Sequence, residues 1–421
     1  MSATGKQMIA DSCRICGNKE LLPVLDLGSQ AVTSVFPRTR GQVVPVVPLE
    51  LVKCSQGGCG LVQLKHTTDS SLMYGHGGYG YRSSIRPYMI NHLHGIVGQV
   101  TDLVDLKPGD LVVDIGSNDS TLLRGYPAGG PELVGFDPNG EQFRELYPEN
   151  VALVADYFTG KAFIDRYGAR RAKVVTSIAM FYDLPRPVEF MQEIHDILDE
   201  DGVWISEQAY LPSMLDMVAY DAICHEHLEY YALRQFEWMA EKVGFTVLKA
   251  EMTEVHGGSI RVTMAKNSGH HRVDEAGLAA FRRSEEKVGL HTMAPYEKFA
   301  ARTNAHRDEL RDFLDASRAA GKLTLGYGAS TKGNVILQYC GLTEKDLPAI
   351  GEVNADKSGC FTPGSEIPIV SEEDAKGQKP DQLLVLPWGY RDSFIEREHE
   401  YLANGGTLVF PLPQLEIKSS S

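Results

Sequence analysis

Two blocks of the chain share one pattern: short apolar runs, each closed by an acid or a glycine turn, separated by longer amphipathic stretches. In the first block the runs are Leu111-Val112-Val113, closed by Asp114 and a turn through Gly116; 133–136, closed by Asp137; 151–155, leading to Asp156 and Tyr157; and 173–177, leading to Tyr182 and Asp183. Short apolar runs with an acid at the exit are read as parallel strands buried on both faces. Their spacing predicts a βαβαβ nucleotide half. A helix is expected after Gly116, capped by Ser117, Asn118, Asp119 or Ser120, so that backbone N–H groups and a helix N-terminus face an anion such as a carboxylate. Further on, the pattern predicts a helix over 188–198 behind Pro187 and a strand over 202–206 ending at Glu207 and Gln208. A strand pair, 245–248 and 259–264, is expected around Gly257 and Gly258.

Amphipathic segments over 278–288 and 296–319 bridge to the second block. There Leu323-Thr-Leu-Gly326-Tyr-Gly328-Ala-Ser330-Thr-Lys332-Gly333-Asn334 reads as strand, glycine turn and helix. It is neither a full Rossmann fingerprint nor a Walker loop. Gly328, Ser330, Lys332 and Asn334 at a helix N-terminus nevertheless suit a pyrophosphate. Glu352 and Asn354 follow the next strand, at 350, where a nucleoside ribose could sit. The runs 383–386 and 407–410 complete a small parallel sheet.

The chain length of 421 residues exceeds one core, so two or three domains are expected. A formal net charge of -15 argues against a general nucleic-acid or anionic-membrane surface. No apolar run approaches a membrane span and the N-terminus lacks a signal-peptide core, so a cytoplasmic location is expected. Seven cysteines, an odd count, argue against a disulfide framework. Four of them form two knuckles: Cys13 and Cys16, relaxed by Gly17, and Cys54 and Cys59, with Gly57 and Gly58 absorbing the longer spacing. Four thiolates so arranged predict a closed, tetrahedral structural zinc site, a staple for a unit too small to build much core.

Three stretches carry the chemistry. Asp137, at the exit of the second strand, is placed to accept hydrogen bonds from a ribose diol, and Asp156 beside Tyr157 could hold an adenine. With Asp114, Gly116 and Asn118, this loop resembles that of class I S-adenosylmethionine methyltransferases. The Gly- and Tyr-rich loop at 74–84 is read as laying tyrosine hydroxyls over a ligand, with a packed surface loop as the equal alternative, and one amphipathic helix is expected over 85–106. The third stretch, Cys224-His225-Glu226-His227, is costly to bury unless it acts. One imidazole as a general base fits it; a metal pair, or a hydrogen-bonded polar cluster, are the alternatives.

In this order (Cys knuckles, methyltransferase half, His-Glu-His segment, Gly-Gly-Ser-Ile-Arg turn, Gly-Tyr-Gly-Ala-Ser-Thr-Lys-Gly-Asn) the whole chain resembles the three-domain sugar C-methyltransferases of deoxysugar biosynthesis, the group containing the C-3′-methyltransferase of the D-tetronitrose pathway. The resemblance implies an α/β fold with a small zinc-binding domain at 1–66. A class I, Rossmann-like methyltransferase domain would occupy 67–300, and a Rossmann-like sugar-nucleotide domain 301–421. It implies S-adenosylmethionine as donor, zinc as a structural ion, and a nucleotide-diphosphate 4-keto-6-deoxy sugar held between the middle and C-terminal domains. In the family pattern Tyr-His-Glu-His the second histidine is the base, which is His227 here, beside Glu226 and His225. The pattern's tyrosine is Cys224 here. A loop tyrosine matches Tyr81 best and Tyr79 next. Another family histidine is expected where Tyr182 stands. These departures bear on the substrate and on the atom methylated. The expected reaction removes a proton beside a ketone, and the enolate attacks the methyl group. O-methylation of a sugar or small metabolite, and a non-catalytic binding protein, are the alternatives. Neither a nucleic-acid nor a membrane partner is expected, and a monomer is slightly favoured.

Overall fold

The computed structural model describes residues 8–55, 57–74 and 81–420. The first apolar block folds into a seven-stranded sheet in the order Phe245–Thr253, Ser259–Lys266, Leu198–Ala209, Ala172–Ile178, Leu111–Ile115, Glu132–Phe136, Val151–Val154. The last five run parallel, and Ser259–Lys266 is antiparallel to both neighbours. Alternate residues point to opposite faces. Val112 and Val174 pack with Leu93, Ile96 and Val100 of the helix Pro87–Leu103. Val113 and Val175 pack instead with the helices Pro187–Ile197 and Leu233–Val243. Burial on both faces is what makes these runs uniformly apolar. Strand order reverses between Leu111–Ile115 and Ala172–Ile178, which opens a crevice at their carboxyl ends.

Two expectations differ here. No α-helix follows Gly116: residues 117–122 are turns, leading only to a 3-10 turn at Leu123–Gly125. Asn118 and Ser120 have left-handed backbones, with φ of 49° and 60°, and such residues cannot continue a right-handed helix. The helix expected over 85–106 begins instead at Pro87, behind a 3-10 turn at Ser83–Ile85, because proline is favoured at the first helical position.

The second block forms a six-stranded sheet, larger than expected, in the order Ile369–Ser371, Ile350–Glu352, Thr324–Tyr327, Gln382–Val385, Thr407–Phe410, Glu416–Lys418. Its first five strands are parallel and the last is an antiparallel edge. Order reverses between Thr324–Tyr327 and Gln382–Val385, beside Gly328 and Pro387. The helices Glu275–Val288 and Ala294–Ala319 link the two sheets in sequence.

The N-terminal unit is a four-stranded antiparallel sheet in the order Glu229–Tyr230, Val62–Leu64, Val46–Cys54, Leu21–Ala31. Its first strand comes from the middle of the chain, directly after the His-Glu-His segment. The N-terminal sheet is therefore completed at one edge by residues from the middle of the chain. Arg14, inside the first cysteine knuckle, fixes this pairing. Its guanidinium donates to the Leu64 carbonyl at 2.5 Å and to Thr67 Oγ1 at 2.9 Å, and stands 3.5 Å from the Glu229 carboxylate, both side chains being almost fully buried. On the other side, Gln338 of the C-terminal unit bonds both the N–H and the carbonyl of Ala31, at 2.8 and 3.1 Å. Among the described residues, no helix is long and apolar enough to cross a membrane.

Removing one partner of a buried ion pair leaves an uncompensated charge, at a cost of about 3–5 kcal/mol. Arg14→Met is expected to lower unfolding free energy by that amount, and adding Glu229→Gln to recover much of it. Urea denaturation of the two variants checks this; no recovery in the double variant would contradict the pairing.

Candidate functional site

The two knuckles meet. Cys13 Sγ lies 3.5 Å from Cys59 Sγ and Cys16 Sγ 3.6 Å from Cys54 Sγ, and all four sulfurs lie within 4.8 Å of one another. These separations are far too long for disulfides. They are close to the ~3.8 Å sulfur spacing that tetrahedral zinc imposes with bonds of about 2.3 Å. The hydrogen bond between Cys59 and Cys13, with burial, holds Cys59 far above the ordinary thiol range, and the same bond brings Cys13 down to about 5. Gly58 is required: a Cβ there would stand 2.3 Å from Cys54 Sγ and 2.9 Å from Cys16 Sγ. Asn18 Nδ2 donates to Cys54 Sγ at 3.4 Å, an outer-shell contact to a ligand sulfur. The cluster is suited to hold zinc, and its closed form gives the ion a structural role.

The first crevice gathers Asp114, Gly116, Asn118 and Asp137. Asp114 is buried, accepts from Thr176 Oγ1 at 2.6 Å, and is pushed up to about 7 by burial. Gly116 has φ +75° and sits against Met180, whose side chain a Cβ would meet at 3.1 Å. The N–H groups expected to face an anion are occupied. Those of Gly116 and Ser117 donate to the Phe136 carbonyl, at 2.8 and 3.3 Å, and that of Asn118 donates to Asp137 Oδ2 at 2.8 Å. Asp137 Oδ1 accepts from Asn139 N at 2.7 Å. Each carboxylate oxygen keeps a further acceptor site for a ribose hydroxyl, so the residues present fit an adenosyl group. Asp156 and Tyr157 lie at the rim, both exposed, with Tyr157 N donating to Asp156 Oδ1 at 2.7 Å.

The second feature is a cavity of about 290 Å³ where the three units meet. It brings together most of the remaining candidates: Tyr81, Tyr182, Cys224, Glu226, His227, Gly328, Ser330, Lys332, Glu352 and Asn354 all line it. The second crossover supplies one wall. Gly328 packs on Pro387, leaving no room for a Cβ, which would meet the ring at 2.5 Å, and Ser330 caps the helix Thr331–Tyr339 through Gly333 N at 2.9 Å. Glu352 accepts from Ala329 N at 2.7 Å and Asn354 N at 2.8 Å.

The opposite wall is a tight turn, with His227 N–H donating to the Cys224 carbonyl at 3.1 Å. The turn separates the two histidines. His227 faces the cavity, its ring centroid 4.2 Å from that of Tyr182, and its Nδ1 lies 2.9 Å from the Ala222 carbonyl. A carbonyl only accepts, so Nδ1 carries the hydrogen, and in the neutral form of the ring the lone pair is on Nε2. His225 points the other way. Its Nε2 donates to the Val47 carbonyl of the N-terminal sheet at 3.1 Å, so the expected role beside the ligand, and the His225–His227 metal pair, are both lost to the geometry of the turn. Asn334 is likewise not a cavity residue: its Nδ2 donates to the Thr33 carbonyl at 2.7 Å and docks the N-terminal unit. Tyr79 lies outside the described residues.

Among the cavity residues that escaped the sequence reading are Arg86, Asp221, Lys357 and Trp388. Trp388 Nε1 donates to Asp221 Oδ2 at 2.8 Å, tying the two walls together, while Oδ1 is buried with no partner among the described residues. Burial raises the Asp221 carboxyl and the nearby Lys332 charge opposes this. Lys357 donates to the Ala329 carbonyl at 2.8 Å and lies over Phe36; Arg86 lies over Tyr390. Position gave one usable signal, since Trp388 follows a strand exit at the crossover of the second sheet.

Comparison with known proteins matches these units in order. A family model described as "Putative zinc binding domain" covers residues 13–74, one described as a methyltransferase domain covers 93–250, and one described as a C-methyltransferase C-terminal domain covers 254–413. The C-methyltransferase NovU of Streptomyces niveus is 32% identical over 415 residues, 97% of each chain. Among solved structures, the CurJ carbon methyltransferase aligns at 11% identity over 47% of this chain and 61% of its own, with a TM-score of 0.36. Magnesium protoporphyrin IX methyltransferase of Synechocystis PCC 6803 aligns at 13% identity over 42% and 78%, with a TM-score of 0.31. At scores this low the structural likeness carries no argument.

Burial holds the His225 imidazole down at about 4, below its ordinary ~6.5. Between those values the unfolded chain binds more protons than the folded one, so this contribution is complete above about pH 6.5 and is lost as pH falls toward 4. His225→Gln keeps a donor for Val47 and cannot ionise. The unaltered protein should therefore lose about 2 kcal/mol more than the variant between pH 7 and 5 in urea denaturation. Equal losses would contradict this assignment.

Proposed function

We propose, because this chain belongs to the C-methyltransferase family of its Streptomyces niveus relative and is an S-adenosylmethionine-dependent C-methyltransferase, that its acceptor is a nucleotide-diphosphate 4-keto-6-deoxy sugar. His227 removes the proton beside the ketone, and the resulting enolate carbon takes the methyl group. The observation that carries this reading is the His227 tautomer: Nδ1–H is held by the Ala222 carbonyl at 2.9 Å in a buried cavity, so Nε2 is a fixed proton acceptor.

S-adenosylmethionine, bound in the Gly116 crevice through Asp137, supplies an electrophilic sulfonium methyl. The chain's own residues do the rest. Tyr182, against the His227 ring, sets the plane of the imidazole. Glu226 is pushed toward its protonated form by burial, and its Oε1 has no partner among the described residues. It is thus able to donate to an oxygen of the acceptor, as is the Tyr81 hydroxyl at the mouth. A donor aimed at the forming enolate oxygen contributes roughly 3–4 kcal/mol, and a positioned base about 10²–10⁴-fold.

Recognition of a diphosphate is supported by the cations of the same cavity, Arg82, Arg86, Lys332 and Lys357, with Lys332 in the first turn of a helix whose N-terminus faces the ligand space. The rings of Tyr88, Trp388 and Tyr390 offer stacking surface for a base.

His227→Asn is expected to bind S-adenosylmethionine normally by calorimetry. Its turnover should fall by about 10²-fold or more with thymidine-, guanosine- or cytidine-diphosphate 4-keto-6-deoxy sugars. Product NMR on the active partner identifies the carbon methylated. Near-normal turnover in the variant would remove His227 from the reaction.

A further inference from the structure

Cys224, Glu226 and His227 converge more tightly than contact with a sugar requires. One donor atom from each, the thiol sulfur, a carboxylate oxygen and an imidazole nitrogen, lies within 4.8 Å of the other two, and all three residues are buried. The backbone enforces this, because the turn closed by His227 N–H on the Cys224 carbonyl sends these three side chains to the cavity and His225 to the other side. Two independent details point to a ligand. A backbone carbonyl holding Nδ1–H, as Ala222 does at 2.9 Å, is the outer-shell arrangement that orients metal-binding imidazoles and presents Nε2 to an ion. Glu226 Oε1 is buried with no hydrogen-bond partner among the described residues, which leaves an oxygen of this side chain open to a ligand.

We infer that Cys224, Glu226 and His227 form a second, cavity-facing site for a zinc-like divalent cation, separate from the four-cysteine cluster. Three protein donors with an open side toward the cavity is the ligand count of exchangeable zinc sites, unlike the closed cluster at Cys13, Cys16, Cys54 and Cys59. The mixed sulfur, nitrogen and oxygen set favours zinc or cobalt over magnesium or calcium. An ion there takes the Nε2 lone pair of His227 and fills the space beside it, so metal and acceptor exclude one another. The site stands on geometry alone and goes beyond the proposed reaction.

The test uses the full-length protein with zinc in its cysteine cluster, titrated with Co²⁺ and followed by absorption, with zinc retention checked by metal analysis. One further Co²⁺ per chain is expected, with a near-ultraviolet thiolate-to-cobalt band. Cys224→Ser should abolish that band, and His227→Gln and Glu226→Gln should each weaken binding by about tenfold or more. Near-ultraviolet circular dichroism reports whether each variant is folded, and either the Cys224 or the His227 variant suffices to decide. No ion beyond the cysteine cluster, or a band unchanged in the folded variants, overturns the site. Because the readout is cobalt binding and not methyl transfer, failure here leaves the role of His227 as base untouched, and the reverse holds too.

Discussion

Residues 220–231 are tied to all three parts of the molecule at once, and the cavity depends on those ties. Asp221 holds Trp388 of the C-terminal sheet; His225 holds the Val47 carbonyl of the N-terminal sheet; Leu228 N–H holds the Tyr182 carbonyl beside the methyltransferase sheet. Glu229 and Tyr230 then complete the N-terminal sheet as its edge strand. Polar groups are costly to bury without partners, and this stretch buries many. Each tie satisfies one of them, and together they fix a turn that its own sequence has little means to hold. The position of His227 is thus set from outside, by three separate units closing on it.

The two crossover crevices are not independent either. The segment after the Tyr-rich loop is pinned to the cofactor loop, with Ser83 N–H donating to Asn118 Oδ1 at 3.0 Å, Ser84 N–H to Asp119 Oδ2 at 2.9 Å, and Asn118 Nδ2 to the Tyr81 carbonyl at 3.1 Å. Tyr81, Arg82 and Ser83 also line the cavity between the three units. One short segment therefore contacts the loop of the first crevice and the wall of the second. The left-handed residues Asn118 and Ser120, which stop a helix from forming, place the Asn118 amide and the Asp119 carboxylate where this segment can bond to them.

Much of this was legible in the sequence. The apolar runs marked the seven strands of the first sheet and the four central strands of the second because burial on two faces leaves a continuous signature, whereas the edge strands Ile369–Ser371 and Glu416–Lys418 left none; the cysteine knuckles marked the cluster because ligand spacing is local. What was not legible is non-local. The helix expected after Gly116 follows a sound capping pattern, yet tertiary bonds to Asp137 and to residues 81–84 take the same polar groups. His225 and His227 are two residues apart and read alike; only the turn at Cys224 sends them to opposite sides. Asn334 looked like a ligand contact because helix N-termini bind anions, but Thr33, 301 residues away, claims its amide. Asp221 and Trp388 form their bond across 167 residues and could not be paired from a single chain.

In the proposed reaction His227 Nε2 abstracts a proton beside a ketone in the cavity formed by the three units. The most direct measurement is isotope exchange without methyl transfer: the protein is incubated in D₂O with S-adenosylhomocysteine and the keto sugar, and deuterium at the α-carbon is followed by NMR. The account predicts steady incorporation with the unaltered protein and none above background with His227→Asn. Exchange that persists in the variant, or no exchange with any keto sugar that the protein methylates, would contradict it.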